Sequence, residues 1–191
     1  MSDFLLHLLR HGEPEGAGRL IGHSDALPTK AGIAACVDRA RGVQMEVLLS
    51  SDLWRARRAG EAIGQATGLP LTTDARWREL DFGGWDGLLA AEIDSAALAR
   101  FWDDPDGHPP PDGESWSGLT HRVAQAIDML AARTTIVVTH AGAMRAAAAH
   151  LCGLDARQAW ALDLPYASLL SLRIWRAPGA RPTAQIVGLR A

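Results

Sequence analysis

Two short segments of this chain carry a histidine in the same kind of setting. LHLLRHGE (residues 6–13) and IVVTHAGAMR (residues 136–145) each run apolar, reach a histidine, and continue into small residues that permit a turn or a helix start. A single histidine at the end of an apolar run ordinarily serves packing. Two in matching frames, His11 with Arg10 before it and Gly12 after it, and His140 followed by Ala141, point to chemistry instead. Ligands of open α/β sheets collect at the carboxyl ends of the strands, so both histidines are expected at one sheet edge despite their separation in sequence. His7, His23, His108, His121 and His150 have no such context.

Two further segments supply the groups that a histidine pair would need. In LLSSDLWRARRAGEAIG (residues 48–64), Arg55 falls in the first turn of a helix that starts from the same edge. Cations there oppose the helix dipole, and an anionic ligand would resolve the conflict. Arg57 and Arg58 read as a solvated basic face. In WRELDFGGWDG (residues 77–87), Glu79 precedes a glycine-rich turn.

Together these residues suggest phosphoryl transfer. A neutral imidazole nitrogen of His11 is a competent nucleophile, and the guanidinium forks of Arg10 and Arg55 would hold the phosphoryl oxygens through the transition state. A carboxyl beside a phosphate dianion keeps its proton more tightly through like-charge repulsion, which suits Glu79 to protonate the leaving oxygen and then to accept a proton from water. His140 would add a hydrogen bond to the phosphoryl group in flight. Gly12 would leave the backbone room to approach it. The scheme calls for no cofactor and no metal, and no HxH, CxxC or HExxH spacing occurs.

The elements that must position these groups follow from the hydrophobic pattern. FLLHLL (4–9), Val47–Leu49 and TTIVVT (134–139) are short continuous apolar or β-branched runs, as expected of strands covered on both faces. Residues 29–41, 52–67, 119–133 and 143–151 have helical spacing, with Ser50 or Ser51 as N-cap of the second helix; residues 168–175 and 183–187 return to a strand pattern. The alternation predicts a three-layer α/β/α sandwich with a central, mostly parallel sheet. One domain over residues 1–191 is expected from the length and from the absence of any linker. The segment 101–118, FWDDPDGHPPPDGESWSG, is too rich in Pro, Gly and Asp for regular structure over most of its length. It is expected to be a specificity loop or lid, with Trp102, His108, Glu114, Ser115 and Trp116 as its candidate contacts.

Composition narrows the partners. The formal net charge is −3, from 19 basic and 22 acidic side chains without a basic block, so neither nucleic acid nor a membrane surface is an expected partner. No apolar run approaches the ~18 residues of a membrane span, and the N-terminus lacks a signal-peptide pattern. Cys36 and Cys152 read as reduced thiols, and a cytoplasmic setting is expected. The expected partner is a small phosphorylated metabolite, and the assembly a monomer or homodimer.

LLRHGE, the stretch from Gly18 to Gly32 containing GHSD, SSDLWRA, ELDFGGWDG and VVTHAGAMR occur in an order and spacing that resembles the histidine phosphatase superfamily, also called phosphoglycerate mutase-like. The resemblance covers roughly residues 5–175. It implies a phosphorylated His11, a pocket completed by Arg10, Arg55 and His140, and Glu79 as proton donor. It also implies substrate contacts from Gly12, from the backbone near Ile21 and Gly22, and from Ala141. The family's usual RHGET reads RHGEP here, with Ala17 where an asparagine is common; SSPL reads SSDL and DxPLT reads DALPT, and none of these departures removes a catalytic group. The pattern is most similar to the branch that contains α-ribazole phosphatase, which implies a phosphomonoesterase, with α-ribazole 5′-phosphate as one substrate. Phosphoglycerate mutases share the motifs but are usually longer. A mutase and a non-catalytic phosphate-ligand binder on the same fold are the alternatives.

Overall fold

The computed structural model describes residues 2–177 and 179–191. Its centre is β1 (Ser2–Arg10), whose alternating side chains are buried on both faces. Phe4, Leu6 and Leu8 enter one core with α4 (Trp116–Asp128) and α5 (Ala141–Cys152). Leu9 enters a second core with α1 (Lys30–Ala40) and α2 (Trp54–Thr67). The period-two alternation of a strand thus supplies both interfaces of a three-layer sandwich.

The six strands run in the order β3-β2-β4-β1-β5-β6. β3 (Leu71–Thr73), β2 (Val47–Ser50), β4 (Thr135–Thr139) and β1 are mutually parallel, whereas β5 (Leu169–Arg176) and β6 (Thr183–Arg190) add antiparallel pairings on the far side. β1 and β4 are neighbours in register, with Arg10 opposite Thr139, yet the helices that follow them lie on opposite faces. Such a divergence opens a crevice at the carboxyl ends of the two strands. His11 and His140 are the first residues beyond those ends. Two shorter helices, α3 (Ser95–Asp103) and α6 (Ala156–Trp160), lie outside the sheet.

Several boundaries differ from the sequence reading, each for a local reason. α4 begins at Trp116 rather than Leu119, because the Ser115 hydroxyl caps it by accepting from the Gly118 N–H. It ends at Asp128 instead of running to Arg133. α5 includes Ala141 and Gly142 in its first turn, and β6 continues to Arg190 by pairing with the start of β5. Neither Ser50 nor Ser51 caps α2: the N-cap position is Leu53, and the Trp54 N–H at the helix start donates to the Asp25 carboxylate at 2.6 Å. The anion at that helix terminus is therefore a side chain from the 21–25 loop. No helix among the described residues is long and apolar enough to cross a membrane.

Candidate active site

The carboxyl ends of β1, β4 and β2 bring Arg10, His11, His140 and Arg55 together. His11 is locked at the strand end by its N–H donating to the Thr139 carbonyl at 2.8 Å, and its own carbonyl accepts from Ala167 at 3.1 Å. Its ring Nδ1 lies 2.7 Å from the Gly12 carbonyl. A carbonyl only accepts, so Nδ1 carries the proton and Nε2 keeps its lone pair. Burial, reinforced by the Arg55 and Arg10 charges, holds the His11 pKa well below the ordinary histidine range. The ring is a neutral base at neutral pH.

His140 stands edge-on to His11, with ring centroids 5.0 Å apart. It is fully buried, and neither of its ring nitrogens has a hydrogen-bond partner among the described residues. Burial first, then Arg55 and His11, also keep its pKa well below the ordinary value. Being neutral, His140 carries one N–H that a bound oxyanion can receive.

The two arginines are held differently. The Arg55 side chain, 1% exposed, donates from Nη1 to the Ser24 carbonyl at 2.9 Å and from Nη2 to the carbonyls of Ile21 and Gly22 at 3.1 and 2.6 Å. It therefore stitches the 21–24 loop onto α2. Arg10 donates from Nη1 to the Leu164 carbonyl at 2.6 Å and stacks over the Tyr166 ring at 4.1 Å. In both side chains Nε is buried with no partner among the described residues. A phosphoryl group between them would accept those N–H donors.

Glu79 reaches the crevice from the loop after the short turn at 75–77, and the first turn of α5 receives its carboxylate. Oε1 accepts from the Leu80 N–H at 2.9 Å and Oε2 from the Gly142 N–H at 3.2 Å. A Cβ at position 142 would meet the Glu79 carboxylate, so glycine there leaves room for the carboxylate in its present position.

A cavity of about 170 Å³ is lined by Arg10, His11, Arg55 and Glu79 on its polar side, whereas the fully buried His140 is not among its lining residues. Pro14, Arg19, Leu20, Ile21, Phe82 and Tyr166 form the rest of its wall. Of the residues expected to touch substrate, Ile21 lines the cavity. Gly22 donates its N–H to Asp86 at 2.9 Å, and Ala141 is buried at the start of α5. Gly12 has a reason beyond the one expected: a Cβ there would meet the Gly32 backbone in α1, so the glycine serves loop–helix packing.

The 101–118 segment departs further from expectation, because it contributes no lining residue to the cavity. Phe101 and Trp116 are buried in the core, Trp102 packs on Phe101 and Trp160, and His108 is solvated beside Asp104. Glu114 pairs with Arg122. Sequence reasoning missed Tyr166, Phe82, Arg19 and the loop anchors Asp25 and Asp86. Tyr166 is the sole tyrosine of the chain but carries no spacing signal. Arg57 and Arg58 are solvated and share Glu61, as their pattern indicates.

Residues 6–180 match the family model of the histidine phosphatase superfamily, branch 1. Among curated relatives, the chain is 32% identical over 191 residues to the probable phosphoglycerate mutase GpmB of Citrobacter koseri, covering 91% of this chain and 88% of that protein. It is 34% identical over 168 residues to the glucosyl-3-phosphoglycerate phosphatase of Mycolicibacterium vanbaalenii, covering 78% and 74%. Among solved structures, a mycobacterial glucosyl-3-phosphoglycerate phosphatase superposes with a TM-score of 0.86 at 27% identity over 97% of both chains. The α-ribazole phosphatase of Shigella flexneri has a TM-score of 0.78 at 22% identity, covering 96% and 95%, which speaks to the fold.

Proposed function

The chain belongs to the histidine phosphatase superfamily, and from that footing we propose that it is a phosphomonoesterase that hydrolyses a small phosphorylated metabolite through a phosphohistidine at His11. The observation that carries this reading is the His11 Nδ1–H donating to Gly12 at 2.7 Å, which leaves Nε2 unprotonated in a ring bordering the cavity. In the first step Nε2 attacks phosphorus, the P–O ester bond breaks, and Glu79 gives its proton to the departing oxygen. In the second, water attacks the phosphohistidine, Glu79 takes the water's proton, and the N–P bond breaks to release phosphate and restore the neutral ring. Arg10 and Arg55 neutralise the equatorial oxygens in both steps, and His140 donates one hydrogen bond. The Gly12 carbonyl steadies the positive charge that the imidazole gains when phosphorylated.

The cavity suits one phosphate and the atoms next to it, with the remainder of the substrate against Phe82, Tyr166, Leu20 and Arg19. Glucosyl-3-phosphoglycerate and α-ribazole 5′-phosphate are the substrates to try first, in view of the relatives and of the sequence pattern. Two free cysteines, with the buried Cys36 thiol pushed up to about 12 by desolvation, suit a reducing cytoplasm.

The relative named as a probable mutase supports one second reading, return of the phosphoryl group to another oxygen of the same substrate class. Phosphate release from a panel of both substrates, sugar phosphates, nucleotides and 3-phosphoglycerate, with and without a chelator, separates the two. Chelator-insensitive phosphate release is expected. Conversion of 3- to 2-phosphoglycerate without phosphate release would favour the mutase, and saturable binding of a phosphorylated ligand without turnover would favour a binding protein.

A further inference from the structure

Arg122 lies outside the cavity, on α4, and every one of its five N–H donors is engaged. Nε and Nη2 form a two-pronged pair with Glu114 at 2.7 and 2.8 Å. Nη1 donates to the carbonyls of Arg76 and Arg78, both at 2.8 Å, and Nη2 to the carbonyl of Glu79 at 2.7 Å. Three carbonyls within four consecutive residues thus converge on one guanidinium, which is only 18% exposed. The third belongs to Glu79 itself.

The partner of that guanidinium holds the other side of the same loop. The Glu114 N–H donates to the Asp81 carbonyl at 2.9 Å, and its Oε2 lies 3.4 Å from the Asp81 N–H. The Gly84 N–H donates to the Pro111 carbonyl at 2.7 Å. Residues 110–114, in the middle of the Pro-rich segment, therefore buttress the 79–84 loop from behind. His23 adds a contact, with Nε2 3.1 Å from the Glu79 carbonyl.

We propose that Arg122, clamped by Glu114, is a positioning residue that fixes the backbone of Glu79 so that its carboxyl meets the leaving-group oxygen. The Pro-rich segment acts on catalysis through this clamp, from the side of the loop that faces away from substrate. Charge and hydrogen-bond count together explain why the position carries arginine. A lysine offers one point of charge and cannot span three carbonyls and a carboxylate at once. Misplacement of a reacting group by about 1 Å costs on the order of 100-fold in rate, so a clamp one residue removed from the chemistry has leverage.

The inference rests on Glu79 being the acid, and its test keeps the two apart. Purified wild type, Glu79→Gln, Arg122→Lys, Arg122→Gln and Glu114→Gln are assayed on p-nitrophenyl phosphate, whose leaving group needs no proton, and on β-glycerophosphate, whose leaving group does. Competitive inhibition by inorganic phosphate reports the integrity of the cradle. Arg122→Gln is expected to lower kcat/KM for β-glycerophosphate by roughly 10- to 100-fold, at or below the low end of what a general acid contributes, because the acid is displaced and not removed. For p-nitrophenyl phosphate, kcat/KM and phosphate inhibition are expected to stay within about 3-fold, since kcat/KM reports the steps through P–O cleavage, which there needs no acid; kcat on either ester also contains phosphohistidine hydrolysis, where Glu79 is the base. Arg122→Lys and Glu114→Gln are expected to show the same selective loss, smaller in size, and supply the answer if Arg122→Gln does not fold. Adding Arg122→Gln to Glu79→Gln is expected to change little more, because both act on one proton transfer. Equal loss of kcat/KM on both esters, no loss on either, or full additivity with Glu79→Gln would overturn the positioning role. A Glu79→Gln variant that treats both esters like wild type would instead overturn the acid assignment.

Discussion

The phosphate cradle and the rest of the cavity wall are built from different material. Arg10, His11 and His140 sit on or directly after the ends of β1 and β4, Arg55 sits in the first turn of α2, and His11, Arg55 and His140 are at most 4% exposed. Pro14, Arg19, Leu20, Ile21 and Phe82 come from loops, with the Arg19 side chain 43% exposed. The first set is fixed by sheet register, the second by long-range anchors such as Arg55 to the 21–24 carbonyls and Asp86 to the Gly22 and Ser24 N–H groups. Reaction type is thereby tied to the scaffold, and substrate choice to segments that can vary without disturbing it.

Substitutions in the cradle should accordingly be severe for every substrate, and those in the wall mild and substrate-dependent. The largest effect is expected for His11→Ala. Removing a nucleophile costs up to about a million-fold in kcat in a well-studied hydrolase, and turnover here should fall to background on all phosphomonoesters. Residual activity above one per cent of wild type in a steady-state assay would place the nucleophile elsewhere.

Next come the arginines, where a transition-state guanidinium is worth roughly 10³- to 10⁵-fold in rate. Arg10→Gln and Arg55→Gln should both lose activity on that scale. Arg55→Gln should also lower the melting temperature, since it releases three carbonyls of the 21–24 loop, whereas Arg10→Gln releases one. Equal melting temperatures for the two variants would break the distinction between a cradle arginine that also ties a loop and one that does not.

A third test uses pH. His11 and His140 have folded-state pKa values well below the 6.5 of the unfolded chain. Above pH 6.5 neither state binds these protons and the pair is neutral to stability; below it the unfolded chain takes them up and the folded one does not. Stability should therefore fall as pH drops below about 6.5, at up to about 3 kcal/mol per pH unit for the two groups together. His140→Asn should remove roughly half of that slope in urea titrations. An unchanged slope would mean that the ring is charged in the folded state.

The smallest effects belong to the wall. Tyr166→Ala removes the ring stacked on Arg10 at 4.1 Å, a contact worth about 0.5–2 kcal/mol, or roughly 2- to 30-fold in kcat/KM. Tyr166→Phe should stay close to wild type. Phe82→Ala should alter the ranking among substrates by roughly 10-fold in relative kcat/KM, the low end for one apolar contact in a pocket, while leaving phosphate inhibition within about 3-fold.

The same division explains what could be read from the sequence. The cradle was legible because strand ends and a helix start place residues by short-range rules: an apolar run followed by RHG, another followed by HAG, and an arginine just after SSDLW. Both strand-end histidines arrive at neighbouring register positions, as that pattern requires. The wall was not legible, because Tyr166 and Phe82 reach the cavity through turns whose paths depend on distant partners. Ala167 adopts a left-handed φ of 58° directly after Tyr166, which a Leu-Asp-Leu-Pro-Tyr-Ala stretch does not announce. The Pro-rich 101–118 segment shows the same limit. Its irregular character was plain from composition, but its place behind the Glu79 loop depends on Arg122, which is separated from Glu79 by 43 positions and had no motif to flag it.

The most direct measurement is rapid quench in base of the enzyme during turnover, followed by peptide mapping. One phosphoryl group is expected on the peptide containing His11, stable in base, lost in acid, absent from His11→Ala, and formed and consumed at rates at least equal to kcat. Turnover at full rate with no phosphorylated His11 peptide at any quench time, or with the phosphoryl group on another residue, would contradict a phosphohistidine mechanism at this site.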